Sequence, residues 1–310
     1  MPCLSHIIEE SIPPQLRLDR YVSENLRLLT RSQIKARRLK AKVNGKNVKA
    51  SRLVKQGDNL ELEWDDSAPL DISPQDIPLE IIYEDDKQVV INKAQGMVVH
   101  PGAGNRQGTL ANALYFRRLN KGKSDSTVGL RPGIVHRLDK ETSGVIIAAY
   151  DEEAHAFLAE QFKSRKVKKN YLAVIAGEPK EKKGRIETCI ARDVRDRKRF
   201  AVSAHGKAAV TFYRVLKTWR THSLVLLRPK TGRTHQLRVH LKYIGRPILG
   251  DPVYGAPDKQ FPDAGLMLHA KSLTITLFGG SEERVFSSPL PERFAAVIKK
   301  LNSIEGEYGK

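Results

Sequence analysis

Apolar residues along this chain cluster in short runs bounded by polar turns more often than they recur at helical spacing. The stretch 79–93, LEIIYEDDKQVVINK, reads as two strands around a Glu84-Asp85-Asp86 turn. Strand-like runs follow at 144–150 (GVIIAAY), 170–177 (NYLAVIAG), 184–190 (GRIETCI), 208–216 (AAVTFYRVL), 222–229 (HSLVLLRP) and 272–278 (SLTITLF). Helices are fewer. Asp151 can cap one with Ala154, Phe157, Leu158 and Phe162 on a single face, and Pro291 can open another that buries Phe294, Val297, Ile298 and Leu301. Strands that are not regularly interleaved with helices predict an α+β domain over 78–302, built on a mixed, mostly antiparallel sheet. No internal repeat is visible, so a solenoid is not expected.

The amino-terminal part is patterned differently. In LRLDRYVSENL, Leu18, Tyr21, Val22 and Leu26 share one helical face. RSQIKARRL sets Ile34 and Leu39 beneath Arg31, Lys35, Arg37, Arg38 and Lys40. Val43-Asn44-Gly45-Lys46 reads as a strand end entering a tight turn, followed by a strand carrying Lys49, Arg52 and Lys55, with Gly57-Asp58 as a second turn. Residues 14–64 hold 13 Lys and Arg against 5 Asp and Glu. A solvated basic face is the plain reading of such a run, but the order of elements resembles the S4 RNA-binding fold. That resemblance implies a small α/β RNA-binding domain over 14–64, with Arg31, Lys35, Arg37, Arg38 and Lys46 on the surface that meets structured RNA. Residues 65–77, with Pro69 and Pro74, read as a linker.

Charge narrows the partners. Over 310 residues, 54 Lys and Arg against 35 Asp and Glu leave a formal +19, which favours a polyanion. With 40% hydrophobic residues a packed core is expected rather than general disorder. No run approaches membrane-spanning length and MPCLSHIIEESIPP does not read as a secretory signal, so RNA rather than a membrane is the expected partner. Cys3 and Cys189 make neither a disulfide framework nor a cysteine zinc site, which suits a reducing cytoplasm, and a monomer is expected.

Several common motifs fail on inspection. Gly122-Lys123-Ser124 has the tail of a phosphate loop, but Arg117 stands where its first glycine belongs. Gly102, Gly104 and Gly108 miss the dinucleotide spacing. His235 and His240 are five apart, with no glutamate between them, and fall on different faces of a helix. Ser143 lacks the first glycine of a nucleophile elbow. No cofactor and no metal are expected.

The run RPGIVHRLDKETSG, 131–144, surrounds one carboxylate, Asp139, with Arg131, His136, Arg137 and Lys140 just before a strand. Such surroundings favour an ionised acid presented from a loop. An isolated Arg-Leu-Asp would more simply be a turn salt bridge, yet HRLDKETSG resembles the signature of pseudouridine synthases of the RluA/RluD type. Two further segments agree in order: KKNYLAVIAG at 168–177 and KTGRTHQLRVHLKYIGRPILGDPVYG at 230–255. HPGAGNRQGTLANAL at 100–114, GKAAVTFYRVL at 206–216 and LMLHAKSL at 266–273 also match.

This resemblance covers nearly the whole chain. It implies a catalytic domain with a central RNA-binding cleft that isomerises specific uridines, foremost in large-subunit ribosomal RNA, with transfer RNA as the other enzyme substrate. An RNA-binding assembly factor with an idle synthase-like domain is the rival from another class. By the match, Asp139 is catalytic, as nucleophile or as base, and Arg238 pairs with it and keeps it ionised. Tyr171 stacks on the target base and can take the C5 proton. Leu268 packs on the same ring, and Arg137, His136 and Arg233 contact the substrate. Arg195, Lys198 and Arg199 lie on a basic hairpin suited to an RNA stem, in which Phe200 stands where family members commonly carry methionine.

Overall fold

The computed structural model describes residues 2–26, 28–29, 33–34, 37–65, 72–102, 104–122, 133–197 and 199–308, with side chains to 305. They divide into two units, Met1–Asp71 and Ile72–Lys310.

In the first unit, β1 (Cys3–Ile7) precedes a single helical turn, α1 (Leu18–Arg20), that runs on as a π-turn over Tyr21–Asn25. Three more strands follow: β2 (Lys40–Val43), β3 (Lys46–Val48) and β4 (Asn59–Glu63), in the antiparallel order β1-β4-β2-β3. Asn44 and Gly45 close the β2–β3 turn with φ of 53° and 74°, a left-handed pair that these two residue types tolerate best. Leu18, Tyr21, Val22, Ile34, Val43, Leu60 and Leu62 form the core. The strand expected around Lys49, Arg52 and Lys55 does not form. Carbonyls of Ala50 and Arg52 instead accept the Asp19 and Leu18 N–H groups that open α1, which takes this backbone out of the ladder. The sheet also takes in β1, upstream of the expected boundary at 14.

The second unit is α+β. Its strands are β5 (Glu80–Glu84), β6 (Gln88–Lys93), β7 (Ser143–Ala149), β8 (Lys168–Ala176), β9 (Lys183–Arg192), β10 (Phe200–Val202), β11 (Lys207–Thr218), β12 (His222–Pro229), β13 (Leu268–Thr276) and β14 (Glu283–Ser287). They make one sheet ordered β10-β9-β11-β12-β8-β13-β7-β6-β5, with β14 on β13, and only β7 and β13 pair in parallel. Every residue of β7 is buried, which explains why its sequence is a continuous apolar run rather than an alternation. Gly144, with φ of 115°, lets β7 pass β13; a Cβ there would lie 2.2 Å from the Ala270 carbonyl oxygen.

Among the described residues this unit has four helices: α2 (Leu110–Asn120), α3 (Glu152–Lys163), α4 (Gln236–Tyr243) and α5 (Glu292–Tyr308). Asp151 caps α3 by accepting the Ala154 N–H at 2.9 Å, and α5 buries Phe294, Val297 and Leu301. At the start of α2, Thr109 and Asn112 form a reciprocal capping box. The Asn112 side chain also donates to the Ser73 carbonyl, and Gln75 accepts from the Gly108 N–H. Residues 72–75 are therefore tied to α2 although their composition reads as linker, while 66–71 lie outside the described residues.

Candidate active site

A cavity of about 440 Å³ opens where four segments of the second unit meet: the loop before β7, the start of β8, the β12–α4 connection and the first residue of β13. Its volume falls in the range of roughly 300–1,000 Å³ typical of small-ligand sites. The first segment presents Asp139. Leu138 and Thr142 on either side are buried, and the Thr142 N–H closes a turn onto the Asp139 carbonyl at 3.1 Å. The Lys140 carbonyl accepts from Gly96 N–H at 2.9 Å and from Lys93 Nζ at 3.2 Å. Lys93 is buried at the end of β6 and also donates to the carbonyls of Ala94 and Met97, so a single ammonium staples this loop to the one beside it. Its pKa is pushed down to about 8, chiefly by burial.

His136 lines the cavity but is committed elsewhere. Its Nε2 accepts the Ile147 N–H at 3.0 Å, and its ring stacks on Phe162 with centroids 4.4 Å apart. Burial pushes its pKa down to about 3, so it anchors the loop as a neutral imidazole. His240 and His269 are neutral for the same reason, with burial taking each to about 4. His240 bridges the hydroxyls of Thr188 and Thr211, and His269 those of Ser143 and Ser288. Because their pKa values fall below 6.5 on folding, only the unfolded chain takes up a proton just below that pH. Folding then loses about 1.4 kcal/mol per pH unit for each ring as the pH drops toward the folded value. We expect the melting temperature to fall steeply from pH 6.5 to 4; a flat profile would mean that these rings are not held neutral.

The β12–α4 connection is fixed by Gln236, which accepts from the Thr231 hydroxyl at 2.6 Å and the Arg233 N–H at 3.0 Å and donates to the Val210 carbonyl at 3.0 Å. In the first turn of α4, Arg238 forks onto Asp251: Nε to Oδ2 at 2.8 Å and Nη2 to Oδ1 at 2.7 Å. Its remaining Nη1 reaches Asp139 Oδ2 at 3.5 Å. Burial opposes both charges of the inner pair. For Arg238 burial is the largest single influence, but the hydrogen bonds to Asp251 together with the charges of Asp251 and Asp139 outweigh it and the pKa is raised. The Asp251 carboxyl, held by Arg238 and by the Val253 and Tyr254 amides, stays below its ordinary value. The expected Arg238–Asp139 contact is thus the longer, single arm of a guanidinium anchored elsewhere.

Tyr171 and Lys169 project from the same face of β8 into the cavity, and Leu268 begins β13 beside them. Burial, then the nearby Asp139 charge, raises the Tyr171 pKa, which keeps the phenol protonated. Among the described lining residues Asp139 is the only acid, set against Arg137, Lys163, Arg165, Lys169, Lys230 and Arg233. The cavity thus unites Asp139, Tyr171, Arg238, Arg137, His136, Leu268 and Arg233.

Other residues flagged in the sequence are not among its described lining residues. Arg195 and Arg199 are exposed between β9 and β10, where Arg199 donates to the Val253 carbonyl. In the first unit, Arg38 and Lys46 are exposed and Arg37 is half-buried. Arg31, Lys35, Arg131 and Lys198 lie outside the described residues. Asp251, Lys93 and Lys169 were not anticipated, and His235 was considered only as a metal ligand. Among the described residues no group of three or more His, Cys, Asp or Glu side chains is arranged to hold a metal ion, and no helix is long and apolar enough to cross a membrane.

Residues 87–243 match the family model described as RNA pseudouridylate synthase. A Borreliella burgdorferi protein named ribosomal large subunit pseudouridine synthase D is 45% identical, over 92% of this chain and 90% of its own length. An uncharacterized RNA pseudouridine synthase of Aquifex aeolicus is 40% identical, over 96% and 98%. Among solved structures, human RNA pseudouridylate synthase domain containing 4 superposes with a TM-score of 0.60 at 29% identity, over 72% of this chain and 93% of that one.

Proposed function

The chain belongs to the RNA pseudouridylate synthase family, and from that premise we propose that it isomerises uridines of large-subunit ribosomal RNA, with Asp139 as the residue that starts the reaction. The isomerisation breaks the N1–C1′ bond, turns the freed uracil, joins C5 to C1′, releases the C5 proton and protonates N1. Atoms and electrons balance without an oxidant or reductant. The observation that carries the reading is the only acid among the described residues lining the cavity, lying beside a guanidinium and a half-buried phenol.

In this reading the target nucleotide is everted into the cavity, at a cost of a few kcal/mol that stacking and phosphate contacts offset. Tyr171 and Leu268 take the uracil ring between them, and Tyr171, still protonated before reaction, lies on the side from which the C5 proton leaves. Arg238 holds Asp139 in place. Arg137, exposed two residues before Asp139, fills the gap left in the RNA or takes a phosphate, with Arg233 on the other rim. His136 serves the substrate by holding the Asp139 loop. Arg195, Lys198 and Arg199 grip an RNA stem. Within the first unit, 14–64 forms the S4-like part that presents Arg31, Lys35, Arg37, Arg38 and Lys46 to RNA, and 78–302 is the catalytic domain. We place the enzyme in the cytoplasm as a monomer with no membrane partner, a setting supported by its net charge of +19 and its two cysteines.

The name of the Borreliella burgdorferi relative supports ribosomal rather than transfer RNA. With uridine tritiated at C5, transcripts of large-subunit ribosomal RNA should release label to water without added metal or nucleotide, and faster than transfer RNA transcripts do. Faster release from transfer RNA would overturn the substrate; no release from either would overturn the activity.

A further inference from the structure

His235 stands immediately before α4 in a left-handed conformation, φ 55° and ψ 17°. Histidine tolerates this region better than most residues, but it carries strain that surrounding contacts must offset. Those contacts fix the ring. Tyr254 Oη lies 2.9 Å from His235 Nδ1 and accepts the Phe200 N–H at 2.8 Å. Tyr254 is buried, and its hydroxyl hydrogen finds an acceptor in Nδ1, which leaves the ring proton on Nε2. Phe200 and Tyr254 meet the ring edge to face, at 5.5 and 5.7 Å. The protonated Nε2 then faces Asp139 Oδ2 at 4.0 Å, the same oxygen that Arg238 Nη1 approaches at 3.5 Å.

We propose that His235 is a positioning residue which, with Arg238, engages Oδ2 of Asp139 and so turns Oδ1 toward the reacting nucleotide. The inference rests on the reading of Asp139 as the group that starts the reaction. In the free protein the His235 contact is too long for a hydrogen bond, and catalytic contacts of this kind tighten once substrate fills the site. Burial lowers the His235 pKa against the opposing pull of Asp139, so the ring acts as a neutral N–H donor. The arrangement gives Tyr254 a purpose as well. Its hydroxyl selects the tautomer, and through the Phe200 amide it ties that choice to the docking of the β9–β10 hairpin, whose Arg199 also binds the Val253 carbonyl.

The test measures single-turnover tritium release, RNA affinity and melting temperature for the wild type, Asp139→Asn, His235→Gly, His235→Asn and Tyr254→Phe. Glycine accepts the left-handed backbone without strain, so His235→Gly removes only the ring. We expect its rate to fall about 100-fold, the effect of a misplaced reacting group, with affinity and melting temperature kept. His235→Asn, which tolerates the same backbone and restores an N–H donor, should recover part of the rate. Tyr254→Phe should show a smaller loss in the same direction. A wild-type rate in His235→Gly, or a loss that merely follows affinity or melting temperature, overturns the role of His235. If Asp139→Asn itself keeps releasing tritium, the underlying reading falls instead.

Discussion

Asp139→Asn should cut tritium release from C5-labelled RNA by about 10⁴-fold or more, the scale of losing a group on which a reaction depends while its surroundings stay intact. The substitution is nearly isosteric. Its side-chain oxygen can still accept from Arg238 Nη1, whose distance to Oδ2 is 3.5 Å in the native protein. The turn closed by the Thr142 N–H onto the Asp139 carbonyl uses backbone alone. The melting temperature and RNA affinity should therefore stay close to those of the wild type. What the amide lacks is a carboxylate's capacity to attack or to take up a proton, and no other acid among the described lining residues can replace it. Release that survives the substitution would mean that a different residue starts the reaction.

Among the described strands of the larger unit, all but β10 and β14 were legible in the sequence, because each is a run of apolar or alternating residues long enough to stand apart from its turns; β10 is only three residues long and β14 is mostly exposed. Even the wholly buried β7 announces itself as VIIAA. Helix α2 was missed. Its buried face includes Asn112 and Arg118, polar residues that break the helical pattern, and the partner of the Asn112 side chain, the Ser73 carbonyl, comes from a distant segment. The strand expected at 49–55 failed for a related reason, since nothing local reveals that Ala50 and Arg52 will cap α1. At the site, three distant segments named Asp139, Tyr171 and Arg238, and the fold brings them to one cavity. The pairing within it was not legible. Arg238 has two acids in reach, and only the three-dimensional path of residues 250–254 decides that Asp251 receives the fork and Asp139 the single arm.

That division makes Asp251 the more sensitive position for stability, and Asp251→Asn should cost about 3–5 kcal/mol, the usual loss when one partner of a buried ion pair is removed. The Asp251 side chain is fully buried and accepts four hydrogen bonds: two from Arg238 and one each from the Val253 and Tyr254 amides, at 2.9 and 3.0 Å. All four partners are donors. Asparagine puts an NH₂ where an oxygen stood, so one donor must face another and the guanidinium loses its countercharge. Arg238 then has Asp139 as its nearest anion, and movement toward it should lower the single-turnover rate about 100-fold even well below the melting temperature. Arg238→Lys separates charge from shape, because a lysine keeps the cation but cannot bridge Asp251 and Asp139 at once. It should lose rate on the same scale as Asp251→Asn. Were Asp251→Asn to melt early yet turn over normally while folded, the fork would be a stability element alone, and the placement of Arg238 against Asp139 would have to come from α4 itself.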